Sequence, residues 1–150
     1  MPQKVVEVNK YRFPTELYYT DRHLWVKKGE GETLTIGIDD LGQKLAGKIR
    51  IITLMEEGKP INAGKIFGVM ESMKWVERLR SPISGTIIEV NARIVSRPRT
   101  LNEDPYSLGW MVKIRATCNV DEELSKLVSG EAIKDWAVKE IQEKGNLITK

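Results

Sequence analysis

The sequence predicts a mainly β fold, a small sandwich or barrel, with its helices gathered towards the C-terminal end. Three observations carry this. From Leu34 to Ile114, apolar and β-branched residues alternate or run in short stretches. Gly58, Gly64, Gly85 and Gly109 separate those stretches as turns do. Beyond Cys118 the pattern changes to helical spacing. With 150 residues, 41% apolar and 30% charged, the chain has the size and balance of one folded domain with a buried core. Disordered, collagenous and membrane-embedded chains are excluded on composition.

Leu34, Ile36 and Ile38 alternate with Thr35 and Gly37, the period of a half-buried strand. In IDDLGQKLAG, Asp39 is placed to cap a short helix whose Leu41 and Leu45 share one face. Lys48 to Leu54, Ile66 to Met70, Thr86 to Val90 and Trp110 to Ile114 read as further strands. NARIVSRPRTLNEDPY, punctuated by Pro98 and Pro105, reads as a loop. DEELSKLV predicts a short helix, capped around Asn119 to Asp121 and closed by Gly130. In a second helix Ile133, Trp136, Ala137, Glu140 and Ile141 fall at helical spacing before Gly145, and this stripe is expected to pack on the β body. The expected organisation is one domain over 1–150, with a β body over about 18–117 and a helical appendage over about 119–145.

Net charge is +3, unevenly divided: residues 121–150 carry −2, which leaves +5 on the rest. A single Cys118 excludes an internal disulfide framework, and a single His23 excludes a multi-histidine metal cluster. No stretch approaches the roughly 18 apolar residues of a membrane span, and the N-terminus lacks a continuous apolar segment, so a cytoplasmic location without membrane association is expected. Nucleophilic catalysis would have to be built on His23, and nothing near it favours that. The expectation is a non-catalytic carrier or binding module with no metal. Arg93, Arg97 and Arg99 form a basic cluster without interleaved aromatics, which fits an acidic partner face better than nucleic acid. Trp25, Trp110 and Trp136 read as core, whereas Trp75 stands beside the motif described next.

The central segment GKPINAGKIFGVMESMKWVERLRSPISGTIIEVN has an internal pseudo-symmetry. Gly64 lies ten positions before Lys74 and Gly85 eleven after it, so two turn-and-strand arms flank one lysine. A hairpin with its turn at ESMK would hold Lys74 at the tip. An exposed lysine is ordinarily only a solvated surface residue. This one stands in a segment that resembles the swinging-arm carriers, the lipoyl and biotinyl domains. The resemblance extends further: YTDRHLWVK, ETLTIGIDDLGQKLAGKI, AGKIFGVMESMKW, SPISGTIIEVN and LNEDPYSLGWMVKI follow the order and spacing of the glycine cleavage H-protein family, from about Tyr18 to Trp136. The resemblance implies a barrel-sandwich hybrid with lipoate in amide linkage on Lys74, flanked by the motif residues Glu71, Ser72 and Met73. It implies as partners a lipoylating enzyme and dihydrolipoyl dehydrogenase, and a role as carrier rather than enzyme. Met73-Lys74 is half of a biotinyl Met-Lys-Met setting, but Trp75 and the surrounding blocks depart from it.

The family pattern also implies a cargo cleft with two acids, one in a His-Glu-Trp triplet and one four positions after the lipoyl lysine. Here the triplet is His23-Leu24-Trp25, the fourth residue after Lys74 is Arg78, and Arg22 precedes the triplet. Read from these offsets, the cargo cleft comprises Arg22, His23, Leu24 and Arg78, with His23 as a structural residue on a strand. An arginine within about 4 Å of a cationic cargo costs about 1 kcal/mol in water and several in a drier cleft. With Arg80 also near, the leading expectation is an anionic sulfur cargo, as in the lipoate-binding branch that serves heterodisulfide-reductase-like complexes in sulfur oxidation. The alternatives are a glycine cleavage carrier working with glycine decarboxylase and aminomethyltransferase, and a relay that holds lipoate for other enzymes.

Overall fold

The computed structural model describes residues 4–145. The chain opens with a hairpin, β1 (Val5–Val8) and β2 (Tyr11–Pro14), joined at Asn9 and Lys10. Both turn residues have positive φ, 50° and 73°, the mirror-image turn that matches strand twist. Next come β3 (Tyr18–Tyr19), β4 (Leu24–Lys28), β5 (Thr33–Ile38), helix α1 (Asp40–Ala46), β6 (Ile49–Leu54), β7 (Pro60–Ile61), β8 (Ile66–Ser72) and β9 (Val76–Arg80). The chain continues through β10 (Gly85–Val90), helices α2 (Ala92–Ser96) and α3 (Thr100–Glu103), β11 (Val112–Ala116), α4 (Val120–Leu124) and α5 (Ala132–Lys144).

Among the described residues, six strands form one sheet in the order β3-β4-β5-β11-β10-β7, and β6-β8-β9 form another; all pairings are antiparallel. Their inner faces meet in one core, in which Ile36, Ile87 and Ile114 of the first sheet share a cluster with Ile52, Met70 and Leu79 of the second. This is the mainly β, two-layer sandwich the alternation predicts. A second cluster joins Phe13, Tyr19, Trp25 and Leu41 to Ile133, Ala137 and Ile141, so α5 packs under the N-terminal hairpin. Strand β4 feeds both clusters, Leu24 and Val26 facing one and Trp25 the other, which is why its apolar run shows no alternation. Trp25 lies across Gly37, where any Cβ would strike the indole ring.

Three expectations are corrected here. The strands begin at Val5, well before residue 18. The stretch read as a loop at 91–106 contains two short helices, because the Asn91 carboxamide oxygen accepts from Arg93 N at 3.0 Å and caps α2. His23 is not on a strand: it precedes β4 in a left-handed turn, φ 65°. The caps foreseen at Asp39 and Asn119 are present, each accepting a backbone N–H from three residues on.

Candidate functional site

Strands β8 and β9 form a tight hairpin in which Glu71 pairs with Val76. Ser72 closes its turn: Ser72 N donates to Trp75 O at 2.9 Å, and Ser72 Oγ accepts from Lys74 N and Trp75 N. Lys74 stands exposed at the tip, beside Met73, which is 77% exposed with the Arg50 guanidinium against its sulfur. The lysine stem folds back towards the end of α1, where its Cδ lies 4.0 Å from the position a Cβ on Gly47 would take. Gly47 adopts φ 79°, and its carbonyl accepts from Asn102 Nδ2 at 2.8 Å, so α3 holds this corner in place.

A cleft of about 300 Å³ opens beside the tip, between α1, β9 and the turn before β4. Leu24, Ile38, Leu45, Ala46, Met70, Trp75 and Leu79 supply its apolar walls, and Asp21, Arg22, His23, Glu77 and Lys144 its polar groups. The structure thus brings Arg22, His23 and Leu24 into one cleft next to Lys74.

Arg78 is placed differently from the expectation. Cross-strand partners project to the same face, and Met70, which lines the cleft, pairs with Glu77. Arg78 pairs with Val69, which in turn pairs with Thr53, on the opposite, solvent face of the sheet. The residue four positions after the lysine therefore points away from the cleft, and Glu77 points in. Arg80 is also remote from the tip, its Nη1 donating to Gly64 O at 3.0 Å. The missed residue was legible in principle, since a turn centred on Met73 and Lys74 puts Met70 opposite Glu77 and gives both one parity.

Below the cleft His23, 3% exposed, is clamped between two carboxylates. Its Nδ1 lies 2.9 Å from Asp39 Oδ2 and its Nε2 2.8 Å from Glu140 Oε1. Lys144 Nζ donates to the same Glu140 oxygen at 2.7 Å. Burial works against protonation of His23, but the charge and hydrogen bond of Asp39, joined by Glu140, outweigh it and raise the pKa above its ordinary value. Burial raises Asp39 in spite of its bonds from His23 and Gly42 N. Burial also opposes ionisation of Glu140, yet Lys144 and His23 draw it below its ordinary value. Only Glu140 and Lys144, four apart on α5, hinted at this network in the sequence. Among the described residues no group of three or more His, Cys, Asp or Glu is arranged to hold a metal ion, and no helix is long and apolar enough to cross a membrane.

Comparison with known proteins adds the decisive observation. The model of the family "Glycine cleavage H-protein" matches residues 17–140. The chain belongs to the glycine cleavage H-protein family. It is 40% identical over 128 residues to a probable glycine cleavage system H protein of Thermococcus gammatolerans, covering 85% of this chain and 94% of the relative. To glycine cleavage system H protein 2 of Aquifex aeolicus it is 37% identical over 132 residues, 87% and 81% of the two chains. The crystal structure of a glycine cleavage system H protein from Mycobacterium marinum superposes with a TM-score of 0.66 at 30% identity, covering 76% of this chain and 98% of that one. Members of the family are non-catalytic carriers with lipoate attached covalently to a lysine, and this chain is such a carrier. The geometry suits that group: a lysine free at a hairpin tip, a glycine corner that leaves room for its stem, and an apolar cleft within reach.

Proposed function

We propose that Lys74 is the lipoyl attachment site and that the chain is a glycine cleavage H carrier, moving an aminomethyl group from glycine decarboxylase to aminomethyltransferase. A lipoylating enzyme and dihydrolipoyl dehydrogenase complete its partners. The observation that carries this reading is the position of Lys74, exposed at the Ser72-closed tip and adjoining the cleft. The lipoyl group supplies a thiol–disulfide couple on a long tether, which raises its effective concentration at each partner's active site. The chain's own residues do the rest. Ser72 fixes the tip, Gly47 gives the stem a path along α1, and the apolar walls exclude water from whatever the arm lays in the cleft.

The relatives named as glycine cleavage H proteins support the glycine pathway, and Arg78 presents no guanidinium to the cleft, because it faces away from it. A second reading, an anionic sulfur cargo handed to a heterodisulfide-reductase-like complex, keeps one observation: Leu24 and Arg22 line the cleft where the family pattern has an acid and a smaller neighbour.

Peptide mass spectrometry of protein from its native host tests the site. A lipoyl mass on the peptide containing Lys74, lost in Lys74→Ala, is expected; an unmodified peptide overturns the assignment. Lipoylated protein mixed with the glycine decarboxylase component and labelled glycine is expected to take up the label. No uptake, together with retention of labelled sulfur from a heterodisulfide-reductase-like complex, would favour the second reading.

A further inference from the structure

The cargo proposed above is an amine, cationic when protonated, yet neither acid of the family pattern survives: position 24 is leucine and position 78 is an arginine that faces solvent. The cleft still contains a carboxylate without an assigned task. Glu77 lines it, half-buried, opposite Met70; it is one residue before position 78 and projects from the other face of β9. Among the described residues Glu77 makes no hydrogen bond and no ion pair. The neighbouring charges are otherwise engaged. Lys144 Nζ is bound to Glu140 at 2.7 Å and to Asp21 O at 3.3 Å, and Asp21 Oδ1 accepts from the Trp136 indole N–H at 3.3 Å. Arg22 is exposed at the rim.

A partly desolvated carboxylate without a partner is a cost to the fold, and such breaches of local satisfaction gather at functional sites. The wall around Glu77 is apolar, built from Met70, Leu79 and Trp75, so water screens its charge less than on open surface. We propose that Glu77 holds the positive end of the cargo when the arm lies in the cleft, a role moved by one residue along β9 from position 78. This rests on the glycine-derived cargo, and the test separates the two claims.

Reduced, lipoylated protein can be loaded without any partner enzyme, since a thiol, formaldehyde and ammonia condense to an S-aminomethyl group with loss of one water. Wild type, Glu77→Gln and Arg78→Ala would be loaded in this way and compared. Two quantities are read: the half-life of the adduct in buffer, and the shifts of the Ala46 and Leu79 backbone amides on loading. Glu77→Gln is expected to shorten the half-life about fivefold, equivalent to about 1 kcal/mol, and to abolish the amide shifts. Arg78→Ala is expected to match wild type in both. Glu77→Gln behaving as wild type, or Arg78→Ala showing the loss instead, overturns the proposal. Because the loading is chemical, failure of wild type to take label from glycine would sink the pathway reading while leaving this comparison decisive for Glu77. Unfolding curves for both variants confirm that each is folded as wild type.

Discussion

Lys74, the proposed lipoyl site, is exposed at its hairpin tip, and the residues around it are the constrained ones. Gly42, in α1, shows how tightly the cleft floor is built: a Cβ there would lie 2.9 Å from His23 Cβ and 2.9 Å from Ile38 Cγ1, with the His23 carbonyl at 3.2 Å. Alanine gains about 1 kcal/mol over glycine in a helix interior, whereas forcing a methyl into a packed site costs about 1–3 kcal/mol. The nearest atoms belong to a residue already held at φ 65° by two buried carboxylates, so it cannot yield cheaply. Gly42→Ala is therefore expected to destabilise the protein by about 1 kcal/mol or more in denaturant unfolding; a more stable variant would show that the His23 turn is free to move. The residue scale is also where sequence offsets misled. Counting four from the lysine gives Arg78, but side-chain direction on a hairpin depends on parity, and one step changes the face.

At the scale of elements, strand alternation, the Asp39 cap and the C-terminal stripe were legible because each depends on neighbours in sequence. Strand β4 was not, because it is buried on both faces, and α2 and α3 were hidden by their proline spacing. The clasp between α5 and the turn before β4 was equally hidden, since His23 and Glu140 are 117 positions apart. That clasp makes the docking of α5 pH-dependent. An imidazolium donates to both Asp39 and Glu140, but neutral imidazole has one N–H and withdraws its donation from one of the two carboxylates. The pKa of His23 is raised, so its contribution is complete below its unfolded value of 6.5 and is lost as pH rises through the folded value. Asp39, also raised, acts in the same direction. Glu140 is lowered, so its contribution is present above 4.5 and is lost as pH falls through its folded value. The unfolding temperature is expected to be higher at pH 6 than at pH 8, and His23→Gln to flatten that difference. An unchanged slope in the variant would place the pH dependence elsewhere.

Over the whole molecule, the cleft lies at the seam between the two clusters: Leu24, Ile38, Ala46, Met70 and Leu79 belong to the sandwich core, whereas Leu45 packs against the cluster under the N-terminal hairpin. The sandwich holds the Lys74 hairpin, and the second cluster holds the His23 turn and α5, so relative movement of the two would change the cleft without disturbing the hairpin. The second cluster is the smaller and depends on α5, where Ile133 and Ala137 are fully buried against the β1–β2 side. Truncating a buried isoleucine to alanine costs about 2–5 kcal/mol, which is a large part of the roughly 5–15 kcal/mol that stabilises a domain. In Ile133→Ala that loss falls on one cluster. Amide hydrogen exchange is expected to accelerate in β1, β2 and α5 and to stay slow in β5, β10 and β11, with Lys74 still open to lipoylation. Uniform acceleration across both sheets would mean that the two clusters unfold as one unit and that the cleft has no independent wall.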